Sequence, residues 1–168
     1  MHIREARKQD AAGIANVHVA SWQTTYRGLM AESYLANLSV EGRLRSWLWT
    51  FDNLKKDEII YVAETGEGKI VGFSSGGRSR HDDSRYEGEL YAIYLLQDFQ
   101  GMGLGKRLFQ QVSSSLKASG CSSMMLWVLR DNPAAAFYAA MGGRVFDRKT
   151  ETIGESDLEE LAVGWERM

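Results

Sequence analysis

The chain opens on a short alternation of polar and apolar positions, HIREA (His2 to Ala6), which reads as a strand. From Asp10 the period changes. Ile14, Val17, Ser21 and Trp22 recur at helical spacing and predict a first helix ending near YRGL. Between Ala31 and Phe51 the spacing recurs twice, in Tyr34, Leu35 and Leu38 and then in Leu44, Trp47, Leu48 and Phe51. It predicts a short helix and a longer one. IIYVAE (Ile59 to Glu64) and IVGFSSGG (Ile70 to Gly77), joined by TGEGK, predict a hairpin with glycines at its turn. A polar loop, RSRHDDSRYEG, leads to a strand from Glu89 to Leu96. Leu104, Leu108, Val112 and Leu116 then mark a helix that stops at Gly120. SMMLWVL (Ser123 to Leu129) is an almost unbroken apolar run, as expected of a strand buried on both faces. In NPAAAFYAAMGG, Pro133 suits the first turn of a helix and Gly142 its end. Two closing strands lie around RVFDRKT and ELAVGWERM.

This order describes one continuous domain over residues 1–168, without repeat, linker or break in composition. The strand–helix–strand unit around Gly101 to Gly105 predicts a right-handed crossover and local parallel pairing. The earlier hairpin is antiparallel, so a mixed sheet flanked by helices is expected. Composition changes little in that picture: 44% hydrophobic and 25% charged residues are ordinary for a globular chain. The net charge of -2 carries no basic footprint for nucleic acid. Cys121 is the only cysteine, which excludes an intramolecular disulfide and a multi-cysteine zinc site. His2, His18 and His81 are scattered and form no ligand set; HDD at His81 to Asp83 reads as a solvated loop, and no metal is expected. No run approaches the roughly 20 apolar residues of a membrane helix, and the charged N-terminus lacks a signal-peptide core. A cytoplasmic setting with no membrane partner is the expectation.

The candidate chemistry starts at QDFQGMGLGKR (Gln97 to Arg107), where a strand hands over to a helix. Three glycines in a row of alternate positions let successive N–H groups point into one concavity. The helix adds its positive N-terminal end, with Lys106 in the first turn. The plain alternative is a tight turn that uses glycine only for its dihedrals. Two phosphate motifs fail. Lys106 is followed by Arg107 with the wrong glycine spacing for a P-loop, and the dinucleotide fingerprint would need glycine at 106.

The pattern that does fit is Q/R-x-x-G-x-G/A, in Gln100, Gly103 and Gly105. With the strand before it, the apolar strand after it and NPAAAFY, it resembles the GNAT superfamily of N-acetyltransferases, most strongly over Glu89 to Gly143. HVASWQTTYRGL is similar to one bacterial branch of that superfamily. Gln100 stands where arginine is commoner, Gln97 where proline is frequent and Gly143 where phenylalanine is frequent. The resemblance implies an α/β (α+β) fold: a mixed, mostly antiparallel six- to seven-stranded sheet with splayed central strands. It implies acetyl-CoA as acyl donor and a small-molecule or peptide amine as acceptor, with direct attack in a ternary complex; dimers are common in the superfamily. The pyrophosphate would rest on Gln100, Gly101, Met102, Gly103, Leu104, Gly105 and Lys106. The pantetheine would lie along the main chain of Ile93 and Leu95, with Leu96 beside them and Asn132 on its arm. Asn132 equally suits the N-terminal cap of the helix at Pro133.

Acetyl transfer to an amine needs a base, because an aliphatic amine with a pKa near ~10 is mostly protonated at neutral pH. It gains from an acid at the departing thiolate and from a strand amide near Leu95 for the oxyanion. The resemblance implies Tyr138 as the acid; the alternative is an aromatic core residue beside Phe137. Glu89 is the candidate base, against an exposed carboxylate at a strand end, with Glu87 two residues earlier as its rival. Trp22, Tyr26 and Tyr34 are candidate acceptor-binding residues if they face the cleft, since aromatic faces suit an amine cation. Other readings stand open: another acyl-CoA or an oxygen acceptor, or a non-catalytic acyl-CoA sensor.

Overall fold

The computed structural model describes residues 1–81 and 85–168; Asp82 and Asp83 of the HDD stretch lie outside the described residues. Seven strands form one sheet: β1 (His2–Glu5), β2 (Ile59–Glu64), β3 (Ile70–Arg78), β4 (Gly88–Leu95), β5 (Met124–Leu129), β6 (Arg144–Ile153) and β7 (Ser156–Trp165). Their spatial order is β1-β2-β3-β4-β5-β7-β6. Every neighbouring pair is antiparallel except β4 and β5.

The helices are α1 (Ala11–Thr25), α2 (Glu32–Ala36), α3 (Val40–Asp52), α4 (Leu104–Ala118) and α5 (Ala134–Ala140). Helix α3 starts where Ser39 Oγ accepts the Gly42 N–H at 3.1 Å, an N-cap that satisfies a first-turn amide. On one face of the sheet, Ile14, Ala15 and Val17 of α1 and Trp47 of α3 bury against Ile60, Val62 and Phe73. On the other, Leu104 and Leu108 of α4 pack on Ala63 and Val71, while Phe109, Val112 and Leu116 join Leu126, Val128 and Tyr138. The i, i+4 row read from the sequence is thus the buried seam of α4. At the sheet's first edge, Arg4 holds Asp10 at 2.8 Å and Glu64 at 3.0 Å, tying β1 to β2 and to the start of α1.

Two local irregularities position the site. Strands β4 and β5 pair only at Gly88↔Met124 and Glu89↔Met125, then diverge. Against β3, Ser75 pairs with Ala92 and Gly76 with Leu90, so Tyr91 is an unpaired extra residue, a β-bulge. The bulge resets the alternation of side chains, so Tyr91 and Tyr94 share the α1 face. Leu90, Ile93 and Leu95 face α4.

Candidate active site

A cavity of about 1090 Å³ passes through the gap between β4 and β5. One end is the glycine turn. Gly101 and Gly103 have φ of 74° and 78°, a left-handed backbone that favours glycine. A Cβ at either would meet no protein atom within 4 Å. The glycines are needed for the path of the chain, and the space beside them is open. No side chain caps α4. Among the described residues the N–H groups of Leu104, Gly105 and Lys106 have no acceptor. An open cradle with orphan amides, a 15-residue helix behind it and Lys106 in the lining fits a pyrophosphate.

Along β4 the main chain continues this track. The Leu96 N–H donates to Val71 O at 2.9 Å. By strand alternation, the N–H and C=O groups of Ile93 and Leu95 therefore face the gap, where β5 has turned away. The same bond corrects the expectation for Leu96: its amide is committed to β3, its carbonyl accepts from Phe99, and its side chain packs in the core. Gln100 turns its amide to Leu95 O at 3.3 Å. Met102 is exposed and Leu104 is buried beneath the turn, so these two offer the cradle only main-chain atoms.

Tyr138 lines the middle of the cavity. Phe109, Phe137 and Trp165 surround its ring, and its hydroxyl has no hydrogen-bond partner among the described residues. Burial, reinforced by nearby Tyr94, raises its pKa above that of an ordinary phenol and keeps it protonated. Asn132 makes the capping bond at the start of α5: its carbonyl oxygen accepts the Ala134 N–H at 2.9 Å, while its amide donates to Tyr26 Oη at 3.3 Å. Tyr26 Oη in turn lies 3.3 Å from Tyr94 Oη. Burial raises both of those phenols as well.

On the α1 face the gap opens into a basin. Trp22 and Tyr26 line it, together with Tyr91, Tyr94 and Trp127, which the sequence reading did not single out. The Trp22 indole N–H is buried there with no hydrogen-bond partner of good geometry among the described residues. Tyr34 corrects the third aromatic expectation. It does not line the cavity; its ring lies against Gly154 in the β6–β7 turn.

Glu89 is fully buried rather than an exposed strand end. Its Oε1 accepts the Arg80 N–H at 3.0 Å, and its Oε2 accepts Arg80 Nη2 at 2.6 Å. The carboxylate does not itself line the cavity; Arg80 and His81 stand between. His81 Nε2 lies 3.7 Å from Glu89 Oε1 and accepts the Trp127 indole N–H at 3.0 Å. Glu87 is elsewhere: its carboxylate accepts the Ser122 hydroxyl at 2.5 Å, which holds its pKa below the usual carboxylate range.

A split sheet, a glycine cradle at the start of the following helix and the buried phenol of Tyr138 between them define an acyl-CoA-type transferase fold. Comparison with known proteins agrees. The model of the acetyltransferase (GNAT) family matches residues 19–142. The N-acetyltransferase YuaI of Bacillus subtilis is 37% identical over 164 residues, covering 97% of this chain and 91% of that protein. The crystal structure of the PaiA N-acetyltransferase from Thermoplasma acidophilum in complex with coenzyme A superposes with a TM-score of 0.69 at 25% identity. It covers 95% of this chain and 96% of that one. YncA of Salmonella typhimurium, solved with its cofactor acetyl-CoA, shares the fold at a TM-score of 0.70 and 19% identity, over 98% and 92% of the two chains. The chain belongs to the GNAT family of acetyltransferases. Among the described residues no helix is long and apolar enough to cross a membrane.

Proposed function

We propose that the protein transfers an acetyl group from acetyl-CoA to a primary amine, by direct attack with both substrates in the cavity. One observation carries the reading. A single cavity joins an anion cradle, an unpartnered protonated phenol and an aromatic basin on opposite faces of one sheet. Acetyl-CoA, when bound, supplies an activated thioester and a pyrophosphate handle.

In this reading the amides of the glycine turn and Lys106 hold the pyrophosphate, and the open main chain of Ile93 and Leu95 pairs with the pantetheine amides as a strand would. The acceptor enters from the basin past Trp22, Tyr26 and Tyr91, whose ring faces favour its cationic form until it is deprotonated. The ammonium first gives a proton to the Glu89 end of the site, which returns it to solvent. The neutral amine then forms the C–N bond as the C–S bond breaks. Tyr138 gives its proton to the sulfur, which leaves as a thiol, and the nitrogen's second proton passes through the Glu89 end and solvent to restore the Tyr138 phenol. A main-chain N–H of β4 aimed into the gap stabilises the negative charge on the carbonyl oxygen.

The test is thiol release from acetyl-CoA with a panel of amines. Release that depends on an amine, with the acetylated amine found by mass spectrometry, supports the reading. Tight coenzyme A binding without transfer to any amine would sink it and favour a sensor.

A further inference from the structure

The Arg80–Glu89 pair is unlike the other ion pairs among the described residues. Glu89 has a side-chain exposure of 1% and Arg80 of 58%. The buried partner is enclosed by protein, and the exposed one is open to solvent. Arg80 lies over the Tyr91 ring at 4.1 Å and lines the main cavity. It also lines a second cavity of about 440 Å³ under α3, so it stands at the junction of the two. A guanidinium has five N–H donors in a planar fork, and among the described residues only Nη2 has a side-chain acceptor.

The same fork covers the carboxylate placed to receive a proton. While Arg80 sits on Oε2 and its own N–H on Oε1, both carboxylate oxygens of Glu89 are covered. An anion that draws the guanidinium away uncovers Oε2 and leaves a buried carboxylate without its counter-charge, which is costly unless another cation takes the place. The proton of an adjacent ammonium then compensates the charge. The other ionisable groups facing the basin do not compete for that anion. Lys149 is held 3.5 Å from Glu160 and 3.7 Å from Glu151, over the Trp127 ring. His81 accepts from Trp127. With two carboxylates and one amine, that wall suits an ammonium, while Arg80 opposite suits an acid.

We propose that Arg80 is a latch read by the acceptor: the acceptor is an amino-acid-like amine whose acidic group pulls Arg80 from Glu89 and so exposes the base. This rests on the N-acetyl-transfer reading above and adds the acceptor class and its coupling to the base. The prediction concerns turnover, because the acid does its work by activating Glu89.

The experiment compares matched acceptors: α-amino acids, their carboxamides and the corresponding decarboxylated amines, with spermidine as a polycationic arm. Each is assayed with wild type, Arg80→Gln and Arg80→Lys. In the wild type the free acids turn over about tenfold faster in kcat than their carboxamides. Arg80→Gln brings that ratio near one, and Arg80→Lys keeps part of it, since a lysine retains charge without the fork. Calorimetric binding of the same acids to the coenzyme A-saturated protein should weaken in Arg80→Gln even if no acetyl transfer occurs. A loss of transfer with that binding difference intact overturns the N-acetyl-transfer reading alone. Transfer with equal kcat for acid and carboxamide, a preference for spermidine, or acid binding indifferent to Arg80 overturns the latch. Thermal melting of each variant separates these outcomes from unfolding.

Discussion

His18 sits on α1 among four aromatic rings, with centroid distances of 5.9 Å to Trp22, 6.0 Å to Trp47, 5.7 Å to Phe73 and 5.6 Å to Tyr94. Its Nδ1 accepts the Trp47 indole N–H at 3.1 Å, so the neutral ring carries its proton on Nε2. Burial, then the positive charge of Arg43, pushes its pKa down to about 4 from the ordinary 6.5. The folded value lies below the unfolded one, so the unfolded chain binds more protons between them. The contribution of the neutral ring is fully present above pH 6.5 and is lost as pH falls toward 4. The limit of that loss is roughly 3 kcal/mol, and near pH ~5 it is about 2 kcal/mol. Protonation at Nδ1 would also set two N–H donors against each other at Trp47. The perturbation is His18→Asn, whose side-chain oxygen can take the place of Nδ1 as acceptor but does not titrate. Urea unfolding of both proteins between about pH 7.5 and pH 5 measures it. The wild type should lose about 2 kcal/mol more than the variant over that interval. Parallel losses in the two proteins would refute the assignment of the acid sensitivity to His18.

Tyr138→Phe should lower kcat for acetyl transfer by roughly 100-fold, with coenzyme A affinity nearly unchanged; thiol release and a coenzyme A titration separate the two. Gly103→Ala imposes a left-handed backbone on alanine and should cost about 1 kcal/mol of stability. Its methyl projects into the open cradle, so coenzyme A affinity should fall further than the melting temperature suggests. At Gly164 a Cβ would overlap the Tyr86 ring. Gly164→Ala should therefore destabilise by about 1–3 kcal/mol, seen in urea unfolding.

The regular elements were legible because their faces are buried one-sidedly. The Leu104, Leu108, Val112 and Leu116 row is the buried seam of α4, and the strand–helix–strand unit does give the one parallel pair. The glycine turn was legible because positive φ leaves its mark in residue type. The aromatic basin was less so. Strict alternation would put Tyr91 and Tyr94 on opposite faces, and only the bulge at Tyr91 unites them. No local pattern announces a bulge whose cause is pairing with β3. Arg80 lay in a polar loop with no period, and its partnership with Glu89 depends on how that loop returns. Tyr34 had the right spacing to face the cleft, but Gly154, far along the chain, leaves room for its ring elsewhere. Gly143, where phenylalanine is frequent in the family, also has an answer at a distance. A Cβ there would overlap the Trp165 ring, which packs beside Phe109 and Tyr138 in its stead.

The divergence of β4 and β5 has a further consequence, for the protein's colloidal behaviour. A bare strand edge is a template on which another chain can add a strand. The outer edges of this sheet are guarded in familiar ways: β1 is only four residues long, and β6 carries Arg144, Asp147, Arg148, Lys149 and Glu151. Between β4 and β5 the molecule keeps two more edges, and these must stay bare to receive a ligand. They face each other inside a wedge, with Trp22 of α1 and the following Tyr26 on one face and Phe137 and Tyr138 of α5 on the other. A slender pantetheine-like chain fits that wedge, whereas a second polypeptide with side chains on both faces does not. The protein thus keeps its unpaired edges where a neighbouring molecule cannot reach them.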